Sequence, residues 1–272
     1  MTASTATIPA STKLTTRANP LAGFTQSLTV AWRTLVRIKH NPADLADLSV
    51  QPIVFTLLFA FVFGGAIGGD IKTYVQFLIP GVLVGNMLFT TLTVGQGLNS
   101  DLTKGVFDRL QSLPIARWAP LAGRVIADQF KQLWTIVVSF LIGLMLGFRF
   151  ETGVVRTLAA IGLILLFAVA FSWVAVLIGV TSKDPEQVNL FGLSVLLPIC
   201  FASGQFSPPE TMPGWLQWFA EVNPVGVLLQ ATRGLINGGP VAGPVTWTLV
   251  WIAVLVIVFA PLSVRALKRR VS

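Results

Sequence analysis

Long apolar runs alternate along the chain with short blocks of charged residues, and this alternation constrains the fold more than any other feature. Of the 272 residues, 54% are hydrophobic and only 11% are charged. A helix needs about 20 apolar residues to cross the hydrocarbon core of a bilayer. Because runs of that length recur from end to end, the sequence predicts an all-α polytopic membrane protein.

Six of these runs are predicted as transmembrane helices, which together form one transmembrane domain over residues 48–264. Residues 1–18, which precede the runs, are rich in Ser, Thr and Ala. We expect them to be a disordered tail. Residues 265–272 are predicted as a basic tail. The approximate bounds of the six spans are residues 48–69, 74–98, 132–148, 157–180, 188–206 and 244–264.

The segment over residues 19–41 has the pattern of an amphipathic helix. Asn19-Pro20 supplies an N-cap followed by proline at the first helical position. Apolar residues from Leu21 to Ile38 recur at spacings of three and four, and Arg33 and Arg37 lie off that stripe. Beside a membrane span, such a helix is predicted to lie in the interface against lipid headgroups.

The distribution of Lys and Arg predicts the orientation. Fifteen of these residues fall on the side of the two termini, and four fall on the other side. The side richer in Lys and Arg is normally cytoplasmic, so both termini are predicted to be inside. The net charge of +8 does not indicate a nucleic-acid partner, because the basic residues flank apolar runs.

The longest polar stretch, residues 99–131, lies on the predicted cytoplasmic side. Within it, an apolar face and a polar face alternate at helical spacing from Asp101 to Leu113, and Pro114 ends the pattern. Such a short amphipathic helix can lie on the membrane or dock in a groove of another protein. The pattern alone leaves both alternatives open.

Prolines and glycines break the chain between the fifth and sixth spans. Residues 215–221 are predicted as a short helix with Trp215 and Trp218 at the depth of the interfacial aromatic belt. Asn223-Pro224 breaks the chain again, and the apolar residues 225–236 are too few to span. We expect an outer re-entrant helical hairpin. It is either a plug that caps the bundle or a gate on an exit pathway.

Charged residues are scarce within the spans. Arg124, Asp128 and Lys131 share helical spacing ahead of the third span, where we expect an interfacial ion cluster. We also expect Arg233 to lie near the outer face. The middles of the spans carry no ionisable residue, and proton-driven transporters usually need one there. The energy for any transport is therefore expected to come from elsewhere.

Enzymatic and metal sites are not indicated. The chain has one histidine, His40, and one cysteine, Cys200. This leaves no candidate metal cluster and no nucleophile–His–acid set. No Gly-Lys-Ser/Thr phosphate loop occurs, so we expect no catalytic residue, no metal and no ATP site on this chain.

Three segments together resemble the ABC-2-type permeases, and within them the daunorubicin-resistance-type drug exporters of actinobacteria. One is the loop over residues 104–124, which contains the sequence KGVFDRL. Another is the outer segment over residues 204–234, which contains GQFSPPETMP. The third is Phe77-Leu78-Ile79-Pro80-Gly81 in the second span. The likeness extends over roughly residues 20–270.

The resemblance implies a homodimer of six-span subunits in the bacterial plasma membrane, with two copies of a separate ATP-binding subunit that carries ATP and Mg. It favours docking over membrane contact for the loop helix. The residues that it implies for coupling to the ATPase are Asp101, Lys104, Gly105, Phe107, Asp108, Arg109, Leu110 and Pro114. Those that it implies for an outer gate are Pro208, Pro209, Glu210, Pro213, Trp215, Trp218, Asn223, Pro224 and Arg233.

The expected cargo is an amphipathic drug-like or lipid-like compound, because the pathway between two copies would be lined by apolar, Gly, Ser and Thr positions. Polysaccharide and glycolipid exporters share the same outline and remain an alternative. A membrane-embedded lipid-modifying enzyme is a rival of another class. It would need clustered acids or histidines at headgroup depth, which the sequence does not show.

Overall fold

The computed structural model describes residues 42–105 and 119–271. Regular secondary structure in these two ranges is entirely helical, as predicted. The helices are α1 (Pro42–Ile67), α2 (Ile71–Thr103), α3 (Ala119–Met145), α4 (Val154–Thr181), α5 (Pro185–Ala202), α6 (Gly214–Val222), α7 (Pro224–Asn237) and α8 (Ala242–Val271). The predicted interface helix over residues 19–41 lies outside the described residues, as do Phe107, Asp108, Arg109, Leu110 and Pro114 of the loop.

Six of the described helices are long and apolar enough to cross a membrane: α1 to α5 and α8. This confirms the predicted fold class and number of spans. The bounds differ most at the third span, which begins at Gly123 rather than at residue 132. Arg124, Asp128 and Lys131, which share helical spacing in the sequence, lie within this span. The predicted C-terminal tail is also helical as far as Val271.

Helix α2 is the centre of the bundle and packs against α1, α3, α4, α5 and α7. It begins at the N-cap Asp70, whose carboxylate accepts a hydrogen bond from the Thr73 backbone N–H at 2.6 Å. It contributes more buried side chains to the main core than any other helix, among them Leu78, Ile79, Leu83, Met87 and Leu88. A central helix buried on nearly all sides explains why its sequence is apolar almost all round.

Helices α2 and α4 cross at two glycines. A Cβ on Gly95 would lie 2.2 Å from the Ala175 carbonyl oxygen, and one on Gly179 would lie 2.3 Å from the Gly95 carbonyl oxygen. Only glycine allows backbones to approach this closely. Beside the crossing, the Asn99 amide donates to the carbonyl oxygens of Gly179 (2.8 Å) and Ser182 (2.7 Å).

The end of α8 is joined to the same place. The Arg270 guanidinium donates to the carbonyl oxygens of Val180 and of Ser182, the latter at 2.7 Å. These carbonyls end α4 and have no partner within that helix. Helices α2, α4 and α8 are thus joined at the end of the bundle from which the 104–118 segment leaves, which we call the loop end. The opposite end, which carries α6 and α7, we call the hairpin end.

Helix α5 is interrupted by a π-helical turn at Gly192–Leu196. Pro198 follows, and because proline has no N–H, the carbonyl of Ser194 loses its α-helical donor. A wider turn at this point accommodates the loss. Gly192 also sits against Leu92 of α2, where an added Cβ would overlap the Leu92 side chain. The turn therefore seats α5 on the central helix.

Candidate functional site

An ion pair closes the base of the long loop at the loop end. Arg124 Nη1 on α3 lies 2.9 Å from Asp101 Oδ2 near the end of α2. The α2 helix ends just after this residue, and Gly105 begins the loop with a φ of +64°, which favours glycine. The two chain segments that bound the loop are thus held together. Asp101, which we expected to contact an ATPase, is paired within its own chain.

The predicted ion cluster of Arg124, Asp128 and Lys131 is wrong. Arg124 pairs with Asp101 instead. Asp128 is only 2% exposed, and neither of its carboxyl oxygens has a hydrogen-bond partner in the described part of the chain. Asp128 lies within the span Gly123–Met145 rather than ahead of it.

Asp128 begins a polar seam between α3 and α2. The Gln132 amide nitrogen donates to the Met87 carbonyl oxygen at 3.0 Å and to Thr91 Oγ1 at 2.9 Å. Further along, Asn86 Nδ2 lies 3.4 Å from Ser139 Oγ. The α3 members of the seam are all buried, and they are Asp128, Gln132, Thr135 and Ser139.

The sequence carried a signal for this seam. Positions 128, 132, 135 and 139 follow the four-three-four spacing of one helix face. The signal was missed because the third span was begun at residue 132, which left Asp128 outside the helix.

A small cleft lies between α1, α2 and α5, with room for about one water molecule. Phenylalanines dominate its wall. The Phe206 ring stacks on Phe59 with centroids 3.8 Å apart, and Phe201 lies 4.8 Å from Phe206. Three amide side chains, Gln51, Asn86 and Gln205, lie among these rings. The lining residues are Gln51, Phe55, Gly85, Asn86, Phe89, Leu197, Cys200, Phe201, Gln205 and Phe206.

Gln205 supplies the cleft's buried polar edge. It is seated against Gly81 and Gly85 of α2, where an added Cβ would overlap its backbone and its side chain. The four-residue spacing of these two glycines leaves room for a close approach, and the turn after α5 makes it. The Oε1 atom of Gln205 is buried and has no partner among the described residues.

Arg233 and Tyr74 hold this turn in place. Arg233 Nη2 donates to the carbonyl oxygens of Gly204 (2.9 Å) and Gln205 (3.2 Å). Its guanidinium lies 3.6 Å from the centroid of the Phe77 ring, within the range of a cation–π interaction. Tyr74 Oη donates to the Phe206 carbonyl oxygen at 2.9 Å. Arg233, which we expected near the outer face, thus lies behind the cleft wall.

Asn223 joins α5, α6 and α7 at the hairpin end. Its Oδ1 caps α7 by accepting from the N–H groups of Val225 (3.0 Å) and Gly226 (2.8 Å). The same oxygen accepts from Ser203 Oγ at 3.0 Å, and its Nδ2 donates to the Phe219 carbonyl oxygen at 2.7 Å. Pro224 fills the first helical position of α7, where its missing N–H costs nothing.

The predicted gate residues separate into two groups. Asn223, Pro224 and Arg233 converge on the end of α5, as described above. The others face outward or are only partly covered. Trp215 and Trp218 are 72% and 64% exposed, Glu210 and Pro213 are exposed, and Pro208 and Pro209 are half-buried beside the short 3₁₀ turn Pro209–Thr211.

Comparisons with known proteins agree with this architecture. The sequence pattern of the ABC-2 type transporter family matches residues 25–237. The daunorubicin resistance ABC transporter permease protein DrrB1 of Streptomyces coeruleorubidus is 36% identical over 90% of this chain and 86% of its own length. A probable doxorubicin resistance ABC transporter permease protein DrrC of Mycobacterium tuberculosis is 28% identical over 88% and 87%. The inner membrane transport permease YadH of Escherichia coli is 24% identical over 68% and 73%.

The family pattern covers most of the chain, and the relative that is 36% identical is matched over nearly its whole length. Six spans, a long loop between the second and third, and two short helices between the fifth and sixth complete the agreement. The chain belongs to the ABC-2 type transporter family of membrane permeases.

Proposed function

We propose that this chain is the permease subunit of an ATP-driven exporter that moves an amphipathic, drug-like compound out of the cell. A separate ABC ATP-binding subunit binds ATP with Mg and hydrolyses the ATP. This chain carries no catalytic residue. Permeases named for daunorubicin and doxorubicin resistance, which match most of this chain, support the proposal. The observation that carries it from the structure is the bundle of six apolar helices with two short helices between the fifth and sixth spans.

The rings of the cleft wall would contact a planar apolar cargo. Phe201 and Phe206 lie 4.8 Å apart there, and each aromatic contact contributes about 0.5–1.5 kcal/mol beyond burial.

The loop end is suited to couple ATP hydrolysis on the partner subunit to movement of the spans. The Asp101–Arg124 pair holds the base of the loop, and Asn99, two residues before Asp101, bonds the end of α4. A push on the loop helix by the ATPase would therefore move α2, α3 and α4 together. We propose the loop residues named above as the contact with the ATPase, with two ATPase copies serving two copies of this chain.

We place the loop end in the cytoplasm and the hairpin end outside, in the plasma membrane of a bacterium. The excess of Lys and Arg beside the loop end supports this orientation. The exposed Trp215 and Trp218 support an interfacial position for α6 at the outer surface. Asn223 and Arg233 would then fix the outer gate, because they tie α6 and α7 to the wall of the cleft.

Co-expression with the ATP-binding subunit of the same organism tests the proposal. The two proteins are expected to purify together. Asp108→Ala and Arg109→Ala in the loop are expected to lower the ATPase activity of the complex, or the amount of ATPase retained. Lys183→Ala is the control, because this exposed residue lies on the same face in the α4–α5 loop. Failure to retain any ATPase, with transport by this chain alone, would contradict the proposal.

A further inference from the structure

The buried carboxyl of Asp128 has no role in the function proposed above. It lies on α3 within the span Gly123–Met145, and neither carboxyl oxygen meets a donor in the described ranges. An ionised carboxylate without a partner is strongly disfavoured at such a site, because neither water nor a hydrogen bond replaces its hydration. Ionisable residues inside spans are rare and mark functional positions.

Gln132, one helical turn further along α3, supplies a buried acceptor oxygen for a protonated Asp128. Both hydrogens of its amide nitrogen are used, by the Met87 carbonyl oxygen and by Thr91 Oγ1. The Met87 carbonyl can only accept, so the amide nitrogen must face it and the orientation of the amide is fixed. Gln132 Oε1 is left buried without a donor. Asp128 and Gln132 are four residues apart on one face of α3, and the carboxyl oxygens of the one and Oε1 of the other all lack a donor among the described residues.

The charged groups around the seam favour a proton over a metal cation as the missing partner. Arg124 and Lys131 face Asp128 from neighbouring turns of α3, and neither lies within ion-pair distance of it. Arg124 is instead held by Asp101 of α2. On α1, the side chains of Asp44 and Asp47 lie outside the described part of the chain. The remaining titratable side chains of α2 and α4, namely Lys72, Tyr74 and Arg156, lie towards the hairpin end. A further cation would enter a site already flanked by two.

We propose that Asp128 is a proton-binding site in the seam between α2 and α3. In the packed seam the carboxyl is neutral, and its O–H donates to Gln132 Oε1. When the seam opens to water at the loop end, the O–H bond breaks, the proton passes to water and the carboxylate remains. Asp128 thus carries a proton when the base of the loop is packed and loses it when the base is open to water. This inference does not depend on the cargo or on the ATPase.

Infrared spectroscopy of the purified chain in detergent tests the site directly. At neutral pH, the wild type is expected to show the C=O stretch of a protonated carboxylic acid. Asp128→Asn is expected to abolish that band. Glu186→Gln, at an exposed carboxyl in the first turn of α5, is the control and is expected to retain it. An unchanged spectrum in Asp128→Asn would overturn the proposal.

A second measurement keeps the test decisive. The folded chain would hold a proton that the unfolded chain releases above about pH 4, so the melting temperature of the wild type is expected to fall as pH rises. Asp128→Asn is expected to remove that dependence. Should that variant fail to fold, Gln132→Leu is expected to keep the carboxyl band but move it to the position of an acid without a hydrogen bond. A melting temperature that rises with Na⁺ or K⁺, with no carboxyl band, would overturn the proposal in favour of a cation site.

Discussion

Replacing Gly95 by alanine tests the crossing of α2 and α4, on which the centre of the bundle depends. The new methyl group would lie 2.2 Å from the Ala175 carbonyl oxygen, whereas contacts of this kind essentially never fall below 3.0 Å. The obstructing atom belongs to the backbone, so no side chain can turn away. The two helices must therefore separate by most of an ångström.

The expected cost follows from that separation. Overpacking of a close contact costs about 1–3 kcal/mol. The two hydrogen bonds from Asn99, at 2.8 and 2.7 Å, would lengthen beyond good geometry, and each contributes about 0.5–1.5 kcal/mol. The better helix propensity of alanine returns about 1 kcal/mol. The net loss of stability is expected to be about 1–5 kcal/mol.

Equilibrium unfolding in detergent measures this loss, with Gly162→Ala as the matched control. Gly162 lies on α4, and a Cβ there would have no atom within 4 Å. The control is expected to match or slightly exceed the wild type in stability. If Gly95→Ala were as stable as Gly162→Ala, the close crossing would be refuted.

Three further predictions concern the ends of the helices. One is a double-mutant cycle of Asp101→Asn and Arg124→Gln. Its coupling energy is expected to stay below about 1 kcal/mol, because both side chains are about one-third exposed. A coupling energy of several kcal/mol would show that the pair is buried. Asn223→Ala, which removes the cap of α7, is expected to cost about 0.5–2 kcal/mol in thermal unfolding, and Asn223→Asp is expected to recover most of it. The hydrogen bond from Thr73 lowers the pKa of Asp70. The stabilisation by this cap is therefore complete above the unfolded-state pKa of about 3.9 and lost as pH falls through the folded-state value, and Asp70→Asn is expected to flatten the acid limb of the melting curve.

Local features of the sequence were sufficient to predict the number of spans and the breaks between them. Span length depends only on consecutive apolar residues, and six such runs correspond to six helices. The break at Asn223-Pro224 was also predictable, because an amide before proline is both a helix cap and a start signal. Cap and proline occupy those roles in the structure.

Contacts between distant segments were not predictable in the same way. Nothing local to Arg124 distinguishes Asp101, on another helix, from Asp128, four residues away, yet only Asp101 is its partner. Gly81 and Gly85 indicated a close approach without revealing that Gln205 makes it. Nothing local to Arg233 indicates that two carbonyls and an aromatic ring hold it behind the cleft. Each of these pairings depends on how the helices are arranged in space.

ATP-dependent accumulation of daunorubicin in inverted membrane vesicles, which contain this chain and its ATP-binding subunit, tests the central claim most directly. Uptake is expected only with ATP. Phe201→Ala, which removes a ring of the cleft wall, is expected to raise the half-saturating concentration about threefold to tenfold, the equivalent of one aromatic contact. Phe191→Ala, at an exposed ring on the same helix, is expected to leave it unchanged. Uptake without ATP, or equal effects of the two variants, would contradict the account.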